Sequence, residues 1–124
     1  MKNIILIGLG GFVGTILRYG ISKLFEKNIN FFPFGTFLVN IIGCFLLGLL
    51  IASLAKENNL LSNKLYLFIG VGFCGGLTTF STFSMESVNL INDGKIFLMF
   101  LYIISSIIFG LLFCYFGITF IKSL

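Results

Sequence analysis

The chain has 124 residues, of which 58% are hydrophobic and 10% are charged. Water-soluble domains carry about 25% charged residues, so this composition excludes an ordinary soluble domain and predicts a single integral membrane domain over residues 1–124. The net charge of +4 comes from scattered basic residues rather than from a basic patch. We therefore expect a lipid bilayer, and not a nucleic acid, as the surroundings of this chain.

Four apolar segments are long enough to cross a bilayer, which takes about 20 residues in an α-helix. Charged residues are absent from 28–55, 65–85 and 96–121. The first apolar segment is interrupted only by Arg18 and Lys23, near its end. We therefore predict an all-α protein with four transmembrane helices, at about 4–25, 34–55, 65–91 and 96–121.

The basic residues do not indicate one orientation in the membrane. Lysine and arginine usually concentrate in cytoplasmic loops. Here four basic residues lie on the side of the termini and the middle loop, and three or four lie on the other side, depending on whether Arg18 reaches outward. Two interpretations stay open. Either a weaker cue directs insertion, or the chain inserts both ways and pairs into an antiparallel homodimer.

Two glycine pairs predict close packing of helices. Gly10 and Gly14 lie four residues apart in the first span, and Gly72 and Gly76 do so in the third. Small residues at this spacing allow two helix backbones to approach each other in lipid. The pattern leaves open whether the contact lies within one subunit or between two subunits.

Polar side chains recur at helical spacing inside the second and fourth spans. Thr36 and Asn40 are four residues apart in the second span, as are Tyr102 and Ser106 in the fourth. Residues at this spacing share one face of a helix. Because lipid offers no hydrogen bonds, these side chains indicate a polar track through the membrane.

The third span carries the clearest signal. Four glycines fall between residues 70 and 76, and each weakens a helix by about 1 kcal/mol relative to alanine. Five hydroxyl residues follow them: Thr78, Thr79, Ser81, Thr82 and Ser84. We predict a broken helix here, and breaks inside a membrane often bind ions through freed backbone groups. The alternative is a kinked helix whose hydroxyls bond to their own backbone.

The side chains near this break favour an anion over a cation. Phe80 and Phe83 lie beside it, and the edges of aromatic rings are electropositive. Glu86 is the only acidic residue in or near a span, and Arg18 is the only arginine. A cation path would be expected to carry acidic side chains or rings of carbonyls. A small anion, hydrogen-bonded along a narrow path, is the better interpretation.

Three other functional classes are less well supported. Catalysis is not expected, because the chain has no histidine and shows no nucleophile paired with a base. A small multidrug-type proton-coupled exporter has a similar size and topology, but it would be expected to carry an acidic residue in the first span. A non-transporting membrane subunit would not need the hydroxyl and amide groups of the spans.

Three segments resemble the Fluc/CrcB family of small dimeric fluoride channels. They are residues 10–19 (GGFVGTILRY), 33–43 (PFGTFLVNIIG) and 72–86 (GFCGGLTTFSTFSME). The similarity covers nearly the whole chain. Small departures are Thr15, where the family often has alanine, and Cys44, where it often has serine.

The resemblance implies an antiparallel dual-topology homodimer in the bacterial inner (plasma) membrane, with two pores that export fluoride passively from the cytoplasm. It also implies a central structural sodium ion, held by the backbone carbonyls of Gly75 and Thr78. The fluoride pathway would be lined by eight side chains: Phe80, Phe83, Asn40, Thr36, Ser81, Thr82, Tyr102 and Ser106. Arg18 and Glu86 would act electrostatically at its mouth.

Overall fold

The computed structural model describes residues 1–26, 32–56 and 60–124, except for the side chains of residues 60–62. All regular elements in these described ranges are helices. The predicted joins between the first three spans fall partly in residues 27–31 and 57–59, outside the described ranges. The join between the third and fourth spans is described in full, and it turns at Gly94, whose φ is 73°.

The described residues form five helices: α1 (Lys2–Phe25), α2 (Phe34–Lys56), α3 (60–77), α4 (Phe80–Asn92) and α5 (Ile96–Ser123). Within α3, the segment Tyr66–Cys74 has π-helical hydrogen bonding and lies between the α-helical segments Leu60–Leu65 and Gly75–Leu77. Helices α3 and α4 together form one span, so four segments are long and apolar enough to cross a membrane. The predicted all-α fold with four spans is confirmed.

Large apolar side chains cover the outside of the helix bundle. Phe12 on α1 is 65% exposed and Phe97 on α5 is 82% exposed. In water, leaving one such side chain exposed forfeits about 1.5–3 kcal/mol of hydrophobic stabilisation, whereas lipid tails are themselves apolar. The protein is therefore a multi-pass membrane protein, and its outer surface faces lipid.

The predicted break in the third span is confirmed, and it lies between α3 and α4. Thr78 (φ −82°, ψ 156°) and Thr79 (φ −151°, ψ 123°) are both extended. The glycine-rich run between residues 70 and 76 is itself helical, so the chain departs from helical geometry after the glycines rather than at them. The expectation that the glycine run forms the break is therefore corrected.

The glycines are instead used for the contact between α1 and α3. A Cβ atom on Gly10 would overlap the carbonyl oxygen of Phe68, and one on Gly14 would overlap that of Phe73. From the other side, a Cβ on Gly72 would lie 2.6 Å from the carbonyl oxygen of Ile7. The two glycine pairs thus pack against each other within one chain, which answers the question left open by the sequence.

A second close contact joins α2 to α5. A Cβ on Gly48 would overlap the carbonyl oxygen of Cys114, and one on Gly117 would lie 2.5 Å from that of Phe45. The ammonium of Lys56 donates a 2.7 Å hydrogen bond to the Ile121 carbonyl near the end of α5. This seam aligns α2 with α5 and places the polar residues of both spans beside the break.

Candidate ion pathway

A cavity of about 430 Å³ lies between α2, the break and α5. Its wall includes six of the residues predicted from the sequence: Asn40, Gly75, Thr78, Phe80, Phe83 and Ser106. They come from three separate spans. The seam between α2 and α5 and the extended residues of the break together bring them to one place.

Asn40 is bonded to the backbone of the break. Its Nδ2 donates to the Thr79 carbonyl at 3.2 Å, and its Oδ1 accepts from the Thr79 N–H at 2.8 Å. Only one orientation of the amide satisfies both bonds, because the oxygen must face the N–H and the nitrogen must face the carbonyl. One of the two amide hydrogens is therefore used on Thr79, and the other remains for a further acceptor.

Thr79 is a site residue that the sequence analysis did not single out. It is the N-cap of α4, where its Oγ1 accepts a 3.2 Å hydrogen bond from the Thr82 N–H. The same Oγ1 donates to Thr82 Oγ1 at 3.1 Å and lies 3.3 Å from Ser81 Oγ. Threonine is a preferred N-cap residue, so its place directly before the helical segment that starts at Phe80 was a usable signal.

Glu86 is the centre of a second polar group. Thr36 Oγ1 donates to its Oε1 at 2.8 Å, and the Tyr102 hydroxyl donates to its Oε2 at 2.7 Å. Thr36 and Tyr102 are both buried, and each hydroxyl binds a different carboxylate oxygen. The two predicted pathway donors are thus engaged by Glu86, which joins α2, α4 and α5 at this level of the bundle.

Aromatic rings connect the Glu86 group to the cavity. The Phe83 and Tyr102 ring centroids are 5.0 Å apart, and those of Phe80 and Phe83 are 5.9 Å apart. Phe80 is 80% exposed, although it lies inside a membrane span. The row of rings runs from the buried tyrosine to the open side of the break.

Ser106 has the one buried side-chain polar atom that lacks a hydrogen-bond partner within the described residues. The neighbouring Ser105 Oγ, by contrast, donates to the Tyr102 carbonyl at 3.2 Å. A buried polar group left without a partner costs about 1–3 kcal/mol. Because Ser106 lies in the cavity wall, its hydroxyl keeps its hydrogen-bonding capacity next to the cavity.

Arg18 is not brought together with the other predicted residues. It lies half-buried on α1, away from the cavity wall. In the described ranges it makes no hydrogen bond or ion pair, and the partners of Glu86 are Thr36 and Tyr102. Arg18 and Glu86, both expected at the mouth of the pathway, are therefore not paired with each other.

Comparison with known proteins places the chain in a family. The family described as CrcB-like protein, Camphor Resistance (CrcB), matches residues 5–118. A protein of Chlorobium phaeobacteroides (strain BS1) is 43% identical over 119 residues, which are 96% of this chain and 92% of the relative. A protein of Flavobacterium psychrophilum is 42% identical over the full length of both chains. Both relatives are named "Fluoride-specific ion channel FluC". With a family match and relatives of this similarity along nearly its whole length, the chain belongs to the CrcB family.

Proposed function

We propose that this protein is a passive, fluoride-selective ion channel that exports fluoride from the cytoplasm across the plasma membrane. The observation that carries the proposal is the unpartnered Ser106 hydroxyl in the wall of the cavity beside the break. A buried hydroxyl without an acceptor suits a small ligand that can itself accept a hydrogen bond. The names of the relatives support fluoride as that ligand.

The surrounding groups suit a dehydrated anion. Fluoride is small and holds its water strongly, so a narrow path has to replace that water with other donors. Ser106 offers a hydroxyl, Asn40 offers its remaining amide hydrogen, and Phe80 and Phe83 offer electropositive ring edges. At the other end of the row of rings, an anion would have to displace Glu86 from the Thr36 and Tyr102 hydroxyls, because each hydroxyl has one hydrogen to donate.

The working unit of this proposal is an antiparallel homodimer with two pores. Phe80 is largely exposed beside a cavity that opens at the surface of one chain, and a second copy would cover both. The balance of basic residues at the two ends of the spans supports insertion in both orientations. Each pore would then be formed with groups from both subunits.

If this is correct, a tag on the C-terminus will be labelled from both faces of the membrane in intact spheroplasts and inverted vesicles. The control is the same tag on a four-span protein of fixed orientation, which will be labelled from one face only. Strictly one-sided labelling of the present chain would contradict the antiparallel dimer.

The proposal includes a structural sodium ion at the break. Gly75 and Thr78 both line the cavity, and backbone carbonyl oxygens are suitable ligands for a hard cation. When bound, sodium would supply a fixed positive charge where the two copies meet. Gly75 and Thr78 would hold it without the help of any acidic side chain.

The function is tested by fluoride release from liposomes that contain the purified protein. Potassium and valinomycin cancel the membrane voltage, no pH gradient is imposed, and a fluoride electrode records the release. We expect fast release of fluoride, no release of chloride, and no release of either ion from protein-free liposomes. Absence of fluoride release from folded protein would contradict the proposal that this protein is a fluoride channel.

An exporter that used Glu86, the acidic residue inside the third span, as its proton carrier is the second candidate. It would release its substrate only when a pH gradient is imposed. Fluoride release that depends on such a gradient would therefore favour the exporter over the passive channel.

A further inference from the structure

In a continuous α-helix each backbone N–H bonds to the carbonyl four residues earlier. A helix running through the break would therefore occupy the Gly75 carbonyl with the N–H of Thr79, and the Thr78 carbonyl with the N–H of Thr82. Each carbonyl would then have one of its two lone pairs occupied, and it would be a weaker ligand for a cation. The destinations of these two N–H groups therefore affect how well a cation can bind here.

The N–H of Thr79 is bonded to a side chain of α2. Thr79 N donates to Asn40 Oδ1 at 2.8 Å, while Asn40 Nδ2 binds the Thr79 carbonyl at 3.2 Å. Helix α2 is held close enough for this contact because Gly43, one turn further along, has no side chain. A Cβ atom there would overlap Thr78 Cγ2.

The N–H of Thr82 is bonded to a side chain of the break itself. Thr82 N donates to Thr79 Oγ1 at 3.2 Å, which makes Thr79 the cap of α4. Thr79 thus donates its own N–H to Asn40 and accepts the N–H of Thr82 with its hydroxyl.

The neighbouring carbonyls are in a different situation. The Cys74 carbonyl accepts from both the N–H and the hydroxyl of Thr78, each at 2.9 Å. Gly76 and Leu77 do not line the cavity, whereas Gly75 and Thr78 do. Gly70, Cys74 and Thr79 of the same span also line the cavity, but Gly75 and Thr78 are the two whose helical N–H partners are bonded to side chains instead.

We propose that Asn40 and Thr79 are positioning residues that create the cation site, by diverting the two backbone N–H groups that would otherwise occupy the Gly75 and Thr78 carbonyls. This inference rests on the proposed function, because it takes sodium as the ion of the break. It assigns Asn40 a role in the sodium site that is separate from any contact with fluoride. It also assigns Thr79 to the site as the residue that caps α4, and its side chain is not a ligand of the cation.

The test compares four variants in pairs. Asn40→Leu removes the acceptor for the Thr79 N–H, while Asn40→Asp keeps an oxygen at that place. Thr79→Val removes the capping hydroxyl, while Thr79→Ser keeps it. For each purified protein, the melting temperature is measured by circular dichroism in sodium chloride and in N-methyl-D-glucamine chloride. The difference between the two salts reports sodium binding, and a loss of packing alone would lower both values together.

We expect wild type, Asn40→Asp and Thr79→Ser to melt at a higher temperature in sodium. Asn40→Leu and Thr79→Val should lose most of that difference, because a re-formed helical hydrogen bond competes with the cation and weakens its affinity by about tenfold or more. Asn40→Asp should at the same time release fluoride poorly, since its negative charge repels the anion. One variant would thereby separate the two roles of this position.

The inference is overturned if Asn40→Leu and Thr79→Val keep the full sodium-dependent shift. It is also overturned if wild type shows no shift, a result that removes the sodium site but leaves the fluoride channel to be judged by liposome release. Should Asn40→Leu fail to fold, the Thr79→Val and Thr79→Ser pair decides, because only Thr79→Ser keeps the hydroxyl and neither change removes the backbone groups of Thr79 that bond to Asn40.

Discussion

Replacing Phe83 with isoleucine is expected to lower fluoride release from liposomes by about twofold to tenfold, and Phe80→Ile is expected to do the same. Isoleucine keeps an apolar side chain but has no electropositive ring edge. Ring-edge interactions contribute about 0.5–1.5 kcal/mol, and about 1.4 kcal/mol at the barrier to conduction corresponds to a tenfold change in rate. Phe83 also packs against Tyr102, with ring centroids 5.0 Å apart, so its loss disturbs the row of rings at both ends.

The matched control is Phe97→Ile. Phe97 is 82% exposed near the start of α5 and does not line the cavity beside the break. The same chemical change there should leave release unaltered, which separates a role in the pathway from a general effect of losing a phenyl ring. Normal release from both the Phe80 and the Phe83 variants would remove the rings from the mechanism.

Gly14→Ala is expected to cause a clear loss of stability, comparable to that of Gly10→Ala on the same helix. The added Cβ would overlap the Phe73 carbonyl oxygen and would lie 2.9 Å from the backbone nitrogen of Leu77. Both atoms belong to backbone, so the conflict is relieved only if α1 and α3 move apart. Overpacking of this kind costs about 1–3 kcal/mol, and thermal melting in detergent should show a clear fall in melting temperature.

Gly8→Ala supplies the comparison on the same helix. A Cβ at Gly8 has no atom within 4 Å. Alanine also favours a helix over glycine by about 1 kcal/mol. The melting temperature of this variant should therefore stay the same or rise. Equal melting of the Gly14 and Gly8 variants would show that the close contact between α1 and α3 does not support the fold.

The architecture was predictable from sequence to a large extent. Charge-free stretches of suitable length identify spans because the bilayer core has a fixed thickness, and this signal is local along the chain. The spacing of Gly10 with Gly14, and of Gly72 with Gly76, likewise indicated close packing before any partner was known. The glycine run indicated a broken third helix, although the extended residues are Thr78 and Thr79 after it.

The partner of each polar group was decided only by the tertiary structure. Asn40 is 39 residues from Thr79, and Thr36 is 50 residues from Glu86. A list of donors along the sequence cannot tell which acceptor each of them meets, because that depends on how α2 lies against the break and α5. For this reason Asn40 and Tyr102 were predicted as donors to an ion, while the structure finds them bonded first to Thr79 and to Glu86.

The sequence by itself therefore determined that this is a four-span membrane protein of the CrcB family with a break in its third span. The tertiary structure decided where that break lies, which buried hydroxyl of the described residues remains without a partner, and which side chains take the N–H groups freed at the break. The physical reason is the range of the interactions. Hydropathy and small-residue spacing act along one helix, whereas the hydrogen bonds that shape the site join helices that are distant in sequence and meet only in the folded bundle.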